Sequence, residues 1–203
     1  MATVFERVEP GARKANKRHI LSCALSCFEE FGIEATTIEL IKQRSESSVG
    51  TIYHHFGNKE GLIAALFFVA LEDQQQQIMA VAERADNVQS LIKSLVVAYL
   101  RWVTEQPELA RFMFKARSIV SDGAFKERLE ERNKIAYRHV FHMLIEAQKK
   151  ADIRKIPLEL FAPLLVGQAE SYCRVWLAGR AQKTPLDYAD EFALAVWQAF
   201  APS

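Results

Sequence analysis

A polar run after Ser47 gathers side chains that can bind phosphate oxygens. Between positions 48 and 59 the chain carries hydroxyl, phenol, imidazole and amine groups, at Ser48, Thr51, Tyr53, His54, His55 and Lys59. All of them can donate hydrogen bonds, and the lysine adds a positive charge. Gly50 has no side chain to keep the backbone away from a groove, and the Thr51 methyl group suits a thymine edge. We interpret the run as a candidate surface for DNA.

Two short helices joined by a tight turn are predicted to position this run. Thr36 or Thr37 can cap a helix that ends near Ser45, and Ser47 or Ser48 can cap the helix that follows. Two helices connected in this way can place the second one in the major groove of DNA. The arrangement also leaves Thr37 at the start of the first helix as a phosphate contact.

The second of these helices has a recognisable buried side and a clear end. Ile52 and Phe56 lie about one turn apart and are expected to face the core, whereas Gly57 and Asn58 end the helix. Asn58 can cap a longer helix whose first turn contains Lys59. That lysine would then lie beside exposed backbone N–H groups, which favour anions.

Hydrophobic spacing predicts helices through most of the remaining chain, and no segment has the alternation typical of a strand. A first helix is expected from about Arg13 to Phe31, after an N-terminal arm, and Gln74–Gln77 is expected to be a solvated helix face. Turn residues separate later helices near 59–84, 88–105, 108–120, 124–151, 158–179 and 187–200. The sequence therefore predicts an all-α protein with a three-helix head in residues 1–57 and a larger helical body in residues 58–203.

Composition limits the classes of protein that this chain can represent. It has 203 residues, of which 50% are apolar, and a net charge of +1. Its apolar runs are far shorter than the roughly 20 residues that span a bilayer, and the charged N-terminus has no apolar core of a signal peptide. We expect a cytoplasmic protein without a membrane partner.

Cys23, Cys27 and Cys173 lack the spacing of a metal knuckle and are interpreted as buried small side chains.

Positive charge is concentrated just before the first long helix. Five of the seven residues from position 13 to position 19 are basic: Arg13, Lys14, Lys17, Arg18 and His19. Such a run is often only a solvated helix start. Its position ahead of a helix-turn-helix favours contact with phosphate.

The run from Ser48 to Leu62, SVGTIYHHFGNKEGL, preceded by Gly32 and Thr36-Thr37, resembles the DNA-binding head of the TetR family of bacterial transcriptional regulators. The resemblance covers about the first 62 residues. It implies DNA contacts at Thr37, Ser48, Val49, Gly50, Thr51, Tyr53, His54, His55 and Lys59. Periodicity alone would bury Val49, whereas the family pattern turns it toward DNA, where it could contact a thymine methyl group.

For the body, the resemblance implies a homodimer formed by the helices near 158–179 and 187–200, and a small-molecule effector bound within each body. It implies no cofactor and no catalysis. The expected function is a repressor that a small, moderately apolar ligand releases from a palindromic operator. Aromatic residues of the body, such as Trp102 and Phe112, are candidates for either a pocket or the core, so the ligand-binding residues stay unassigned.

Departures from the family pattern occur where the two short helices meet. Lys42 and the run Ser45-Glu46-Ser47 replace the small residues usual there, and Glu39 adds a second acid nearby. A residue other than glycine in a left-handed turn costs on the order of 1 kcal/mol. Lys42, Glu46 and Ser47 could therefore weaken DNA binding, which leaves a dimeric small-molecule-binding protein with an impaired head as an alternative.

A metal-binding helical-bundle enzyme is the alternative from a different class. His139, His142 and Glu146 have helical spacing and could offer metal ligands from one face. The paired Glu-x-x-His motifs of di-iron bundles are missing, as are nucleotide-binding and serine-hydrolase motifs. The sequence therefore favours a protein without a metal site over this alternative.

Overall fold

The computed structural model describes residues 2–202, which form an all-α fold. Its α-helices are α1 (Val4–Val8), α2 (Ala15–Phe31), α3 (Ile38–Ser45), α4 (Val49–Phe56), α5 (Lys59–Ala82), α6 (Val88–Glu105), α7 (Pro107–Ser121), α8 (Lys126–Lys149), α9 (Phe161–Leu177) and α10 (Ala189–Phe200). Short 3₁₀ turns at Ala12–Lys14, Leu158–Leu160 and Pro185–Tyr188 precede α2, α9 and α10. Across residues 2–202, the helices are all too short or too polar to cross a bilayer.

The predicted N-terminal arm is wrong, because helix α1 lies within it. Thr3 and Glu6 form a reciprocal capping box at its start, and Val4 is buried. Arg7 holds the helix to α5 through two hydrogen bonds to Asp73, Nε to Oδ1 at 2.7 Å and Nη2 to Oδ2 at 3.0 Å. The Thr-x-x-Glu spacing that marks such a cap is visible in the sequence.

The predicted solvated face at Gln74–Gln77 is also wrong in part. Gln74 and Gln75 are buried, and the Gln75 side-chain amide donates a hydrogen bond to Asn133 Oδ1 at 2.9 Å. A buried amide requires a partner of this kind, since leaving it unpaired would cost free energy. The polar character of the run misled the prediction.

Two compact units divide the chain differently from the expected boundary at residues 57 and 58. The first contains the residues up to Asp73 and Glu108–Leu129, and the second contains Gln74–Pro107 and the residues from Glu130 onward. Most of α7 thus belongs to the unit that contains α1 to α4. The functional division at residue 57 stays a prediction.

An aromatic pair lies in the core of the first unit. Phe28 of α2 and Phe112 of α7 are both buried and stack with their ring centroids 5.4 Å apart. An ion pair between Glu29 and Arg111 joins the same two helices. Aromatic stacking adds about 0.5–1.5 kcal/mol to the gain from burial, so this contact is a main stabilising element of the unit.

In the second unit α6 packs on α9 and α10, and a second aromatic cluster joins α8, α9 and α10. Phe161 is fully buried and lies between Phe141 of α8, at 5.9 Å, and Phe200 of α10, at 6.0 Å between ring centroids. The backbone N–H of Arg154 donates to the Phe200 carbonyl at 3.0 Å, which attaches the connection before α9 to the end of α10.

The prediction that the cysteines are buried is confirmed, and all three carry free thiols. Burial raises the pKa of Cys23 and Cys27, and it raises the pKa of Cys173 to about 12. Since the thiolate is the reactive form, we expect native protein at about pH 8 to react with iodoacetamide more than tenfold slower than a free thiol. Mass spectrometry should find all three cysteines alkylated after denaturation, and rapid alkylation of the native protein would contradict this expectation.

Candidate nucleic-acid interface

Helix α4 has a buried side and an exposed polar side, as the sequence predicts. Ile52 and Phe56 face the core, whereas Tyr53, His54 and His55 are exposed, with 48% of Tyr53 accessible. Exposure of a large aromatic residue beside two imidazoles is consistent with a contact surface rather than with packing. The structure thus brings these three candidate residues together on one face.

The start of α4 is fixed by its own hydroxyl groups. Ser48 Oγ accepts a hydrogen bond from the Thr51 backbone N–H at 3.0 Å, and the two hydroxyl oxygens are 2.8 Å apart. Ser48 is therefore the N-cap that the sequence allowed, and it also orients Thr51. Gly50 is exposed. Val49 is half-buried, which is intermediate between the core position that periodicity predicts and the DNA-facing position that the family pattern implies.

Thr37 and Thr36 have separate roles at the start of α3. Thr37 is exposed and its Oγ1 accepts from the Leu40 N–H at 3.2 Å, which makes it the N-cap of α3. Thr36 is fully buried, with Oγ1 only 2.7 Å from the Gly32 carbonyl oxygen. Only Thr37 is therefore accessible to a phosphate.

The junction of α4 and α5 sets the position of Lys59. Asn58 caps α5 through the Gly61 N–H at 2.7 Å, and a Cβ at Gly61 would lie only 2.0 Å from the Phe56 carbonyl oxygen. Glycine is thus required for the close approach of the two helices. The Lys59 amine donates to the Glu34 carbonyl at 2.9 Å, which holds the charge beside the start of α5. Among residues 2–202 the amine makes this one hydrogen bond, which leaves two of its three N–H donors for another acceptor.

The basic cluster at the start of α2 is largely engaged within the chain. Lys14 and Lys17 each lie 2.6 Å from a carboxylate oxygen of Glu9, and Arg18 donates to the carbonyls of Glu9 and Gly11. Burial raises the pKa of Glu9, but the hydrogen bonds and charges of both lysines outweigh burial and hold it below its ordinary value. Sequence reasoning missed Glu9, because spacing does not show which acid folds back onto a cluster.

The turn between α3 and α4 contains the strain that the departures predict. Glu46 has φ 50° and ψ 24°, which is the left-handed region that favours glycine. Ser45 is buried, and its hydroxyl has no hydrogen-bond partner within residues 2–202. The acid Glu39 is paired with Lys42 at 2.8 Å. The unusual residues therefore affect the backbone of the turn as well as its charge.

Replacing Glu46 with glycine is expected to stabilise the protein by about 1 kcal/mol, since glycine adopts this backbone conformation without a steric penalty. Urea denaturation of wild type, Glu46→Gly and Glu46→Gln measures the gain. Glutamine removes the charge but keeps the penalty, so only glycine should raise the midpoint, whereas both variants should bind DNA more tightly. Equal stabilisation by glutamine would show that charge repulsion, rather than backbone strain, destabilises the turn.

Among residues 2–202, no group of three histidine, cysteine or acidic side chains is arranged to hold a metal ion. Glu146, one of the three residues of the metal alternative, pairs instead with Lys149 at 2.7 Å. His139 and His142 are exposed on α8. The structure therefore offers this alternative no support.

Comparison with known proteins places the N-terminal region in a family. Residues 20–66 match the sequence profile of the bacterial regulatory proteins of the tetR family. An HTH-type transcriptional repressor of Mycobacterium tuberculosis is 31% identical over 99 residues, which are 48% of this chain and 50% of that protein. The repressor AcnR of Corynebacterium glutamicum is 34% identical over 102 residues, 50% of this chain and 47% of AcnR. The chain thus spans about half the length of the curated relatives it matches.

The fold of the chain is also that of known regulators. A TetR family transcription regulator from Marinobacter aquaeolei has a TM-score of 0.78 at 17% identity, covering 94% of this chain and 98% of that structure. These related proteins are transcription regulators and not enzymes. The sequence match in the head, the helix-turn-helix geometry and the shared fold lead to one conclusion: residues 20–66 match the tetR family of bacterial regulatory proteins, and the chain has the fold of a TetR family regulator.

Proposed function

We propose that this protein is a ligand-responsive, DNA-binding transcriptional repressor that acts as a cytoplasmic homodimer. The observation that carries the proposal is the face of α4, where Tyr53, His54 and His55 are exposed opposite the buried Ile52 and Phe56. A helix of this kind fits the major groove, with its exposed side toward base edges and phosphates. Thr37, Ser48, Val49, Gly50, Thr51 and Lys59 complete the proposed DNA contacts.

The dimer is proposed to form through α9 and α10. Leu158, Leu160 and Leu194 are large apolar side chains that stay exposed in or next to these helices. Pro163 and Gly167, four residues apart on α9, are also exposed and small enough for close approach of another helix. A contiguous apolar surface commonly marks an interface. Two-fold symmetry would then set the two α4 helices about one DNA turn apart, roughly 34–36 Å, on a palindromic operator.

A small, moderately apolar effector is proposed to bind within the second unit, whose interior is apolar and aromatic. Binding would shift the population of body conformations and move α5, a continuous helix that carries residues of both units. The spacing of the two α4 helices would then no longer match the groove. An effector can change the affinity for operator only by as much as its own affinity differs between the two conformations.

The test is a salt titration of binding to genomic fragments around the protein's own gene. Wild type is compared with Tyr53→Ala, Lys59→Ala and the control Lys134→Ala, which removes an equal charge from an exposed site on α8. Specific binding that weakens steeply with salt should fall about tenfold or more in the two head variants and stay unchanged in the control. A loss of affinity as large in Lys134→Ala would contradict the proposed contact surface.

A dimeric ligand-binding protein with an impaired head is the second candidate, and the left-handed Glu46 in the turn is the observation that favours it. Under this candidate the wild type binds none of the fragments and Glu46→Gly acquires binding. Specific binding by the wild type would rule it out.

A further inference from the structure

The segment Thr3–Glu9, called here the N-terminal strap, is a folded part of the first unit. Val4 is buried at one end, and Arg7 forms an ion pair with Asp73, whose side chain is only 2% exposed. The Arg7 guanidinium also donates to the Ala2 carbonyl at 2.7 Å. A bidentate ion pair between a guanidinium group and a carboxylate fixes both the orientation of the two groups and the distance between them. The strap is therefore held firmly at its start, independently of Glu9.

At its other end the strap faces the basic cluster. The two carboxylate oxygens of Glu9 are divided between Lys14 and Lys17, each at 2.6 Å. Arg18 donates to the carbonyls of Glu9 and Gly11 at 2.8 and 2.7 Å. Three cations of the cluster are thus turned toward the strap, and one carboxylate lies where two ammonium groups converge.

Helix α2, which carries Lys17 and Arg18 in its first turn, contacts the end of α3 near its own middle. Cys23 Sγ is 3.6 Å from the carbonyl oxygen of Arg44, near the end of α3, and His19 Nε2 is 3.8 Å from the same sulfur. Lys17 lies six residues before Cys23, or about 9 Å further along the helix axis. Lys17 therefore lies within about two helical turns of the point where α2 meets the end of α3.

We propose that the strap is an internal competitor for DNA phosphate, and that Glu9 occupies a phosphate-binding site formed by Lys14 and Lys17. A carboxylate and a phosphate oxygen bind the same ammonium groups, so one anion excludes the other. Lys14 and Lys17 are partly exposed, with 51% and 29% of their side chains accessible. The Glu9 side chain is only 13% accessible, so solvent reaches the pairs from the lysine side, where duplex DNA is a concentrated source of competing anions.

The consequence concerns specificity, and it rests on the proposed DNA-binding function. Phosphate contacts supply binding to every sequence, whereas base contacts distinguish the operator. By pairing Glu9 with two phosphate-binding lysines, the strap lowers sequence-independent affinity while the exposed face of α4 is unaffected. Removing the carboxylate should therefore increase non-specific binding most.

The test uses a generic duplex of about 20 base pairs without operator sequence, titrated by fluorescence anisotropy between about 50 and 200 mM salt. Glu9→Gln should bind about fivefold more tightly at the lowest salt, and its log–log salt slope should steepen by roughly 0.9 to 1.8, one step for each phosphate neutralised. Glu146→Gln is the matched control, because it frees Lys149 on α8 from the same kind of ion pair.

A double-mutant comparison assigns the gain to the two lysines. Lys14→Gln combined with Lys17→Gln should abolish the gain in the Glu9→Gln background, and it should lower the affinity of Glu9→Gln by a larger factor than that of otherwise wild-type protein. An equal loss of affinity in the two backgrounds would overturn the proposal, because it would mean that Glu9 does not compete with DNA for these lysines. Equal affinities and slopes for Glu9→Gln and Glu146→Gln would overturn it as well.

A second measurement needs no DNA. Brief acetylation followed by mass spectrometry should modify Lys14 and Lys17 several-fold faster in Glu9→Gln than in wild type, with Lys134 as the internal reference. Unchanged rates would overturn the strap as a shield. Because the duplex carries no operator, failure of operator recognition would refute the proposed function without altering this comparison, and the two failures are thereby distinguished.

Discussion

Phe112→Ala is expected to destabilise the first unit by about 3–5 kcal/mol, the usual cost of removing a fully buried phenylalanine. Phe112 is 1% exposed and stacks on Phe28 of α2, so its removal leaves a cavity beside the helix that supports α3 and α4. DNA binding should fall with the stability of the head, although Phe112 lies far from α4 in sequence. Urea denaturation and hydrogen exchange resolved by segment measure both effects.

Phe161→Ala is the matched control for this prediction. Phe161 is equally buried and also stacks on a phenylalanine, Phe141, but it belongs to the second unit. Phe161→Ala should lower the free energy of unfolding by a similar amount. Its amide hydrogens should lose protection from exchange in α8 to α10, whereas those of Phe112→Ala should lose it in α2 to α4. Intact protection of α2 in Phe112→Ala would mean that α7 is not an energetic part of the head.

Local signals in the sequence predicted most of the helices. Apolar spacing and the capping residues Thr37, Ser48 and Asn58 placed the starts of α3, α4 and α5 to within about one residue, because a helix start depends on residues close by. The exposed Tyr53 and buried Ile52 followed from the same periodicity. These features were predictable because their causes lie within a few residues.

Features that depend on distant partners could not be predicted. Phe112 was a candidate for a pocket or the core of the body, yet it packs on Phe28, 84 residues earlier, because an apolar stripe does not name the surface that covers it. In the same way, spacing does not show that Arg7 reaches Asp73. At the candidate site, the polar groups were predictable, whereas the ion pairs that Lys14 and Lys17 form with Glu9 were not.

Leu194→Glu is expected to convert the proposed homodimer into a monomer. Leu194 is 53% exposed on α10, where the proposed interface would cover it. Burying a carboxylate there without a partner is strongly unfavourable. The dimer dissociation constant should rise at least a hundredfold, or about 2.8 kcal/mol at 1.4 kcal/mol per tenfold change. Light scattering combined with size-exclusion chromatography measures the change in mass.

Ile135→Glu provides the control, because Ile135 is an equally large aliphatic side chain that is 58% exposed on α8, outside the proposed interface. This variant should stay dimeric. Dissociation by Ile135→Glu but not by Leu194→Glu would place the interface on α8 instead of α10. Leu194 and Ile135 are both exposed apolar residues, so a difference between the two variants reports only the position of the interface on α10 or on α8.

Monomeric Leu194→Glu protein should also lose operator binding while it keeps non-specific binding. Each head would still present Tyr53 and Lys59, but a palindrome is read by two heads held at a fixed spacing. Linking two weak contacts raises affinity because the second binds at a high effective concentration, and this gain disappears when the subunits separate. Anisotropy titrations on operator and on generic duplex test this expectation, and unchanged operator affinity in a confirmed monomer would show that one head is sufficient.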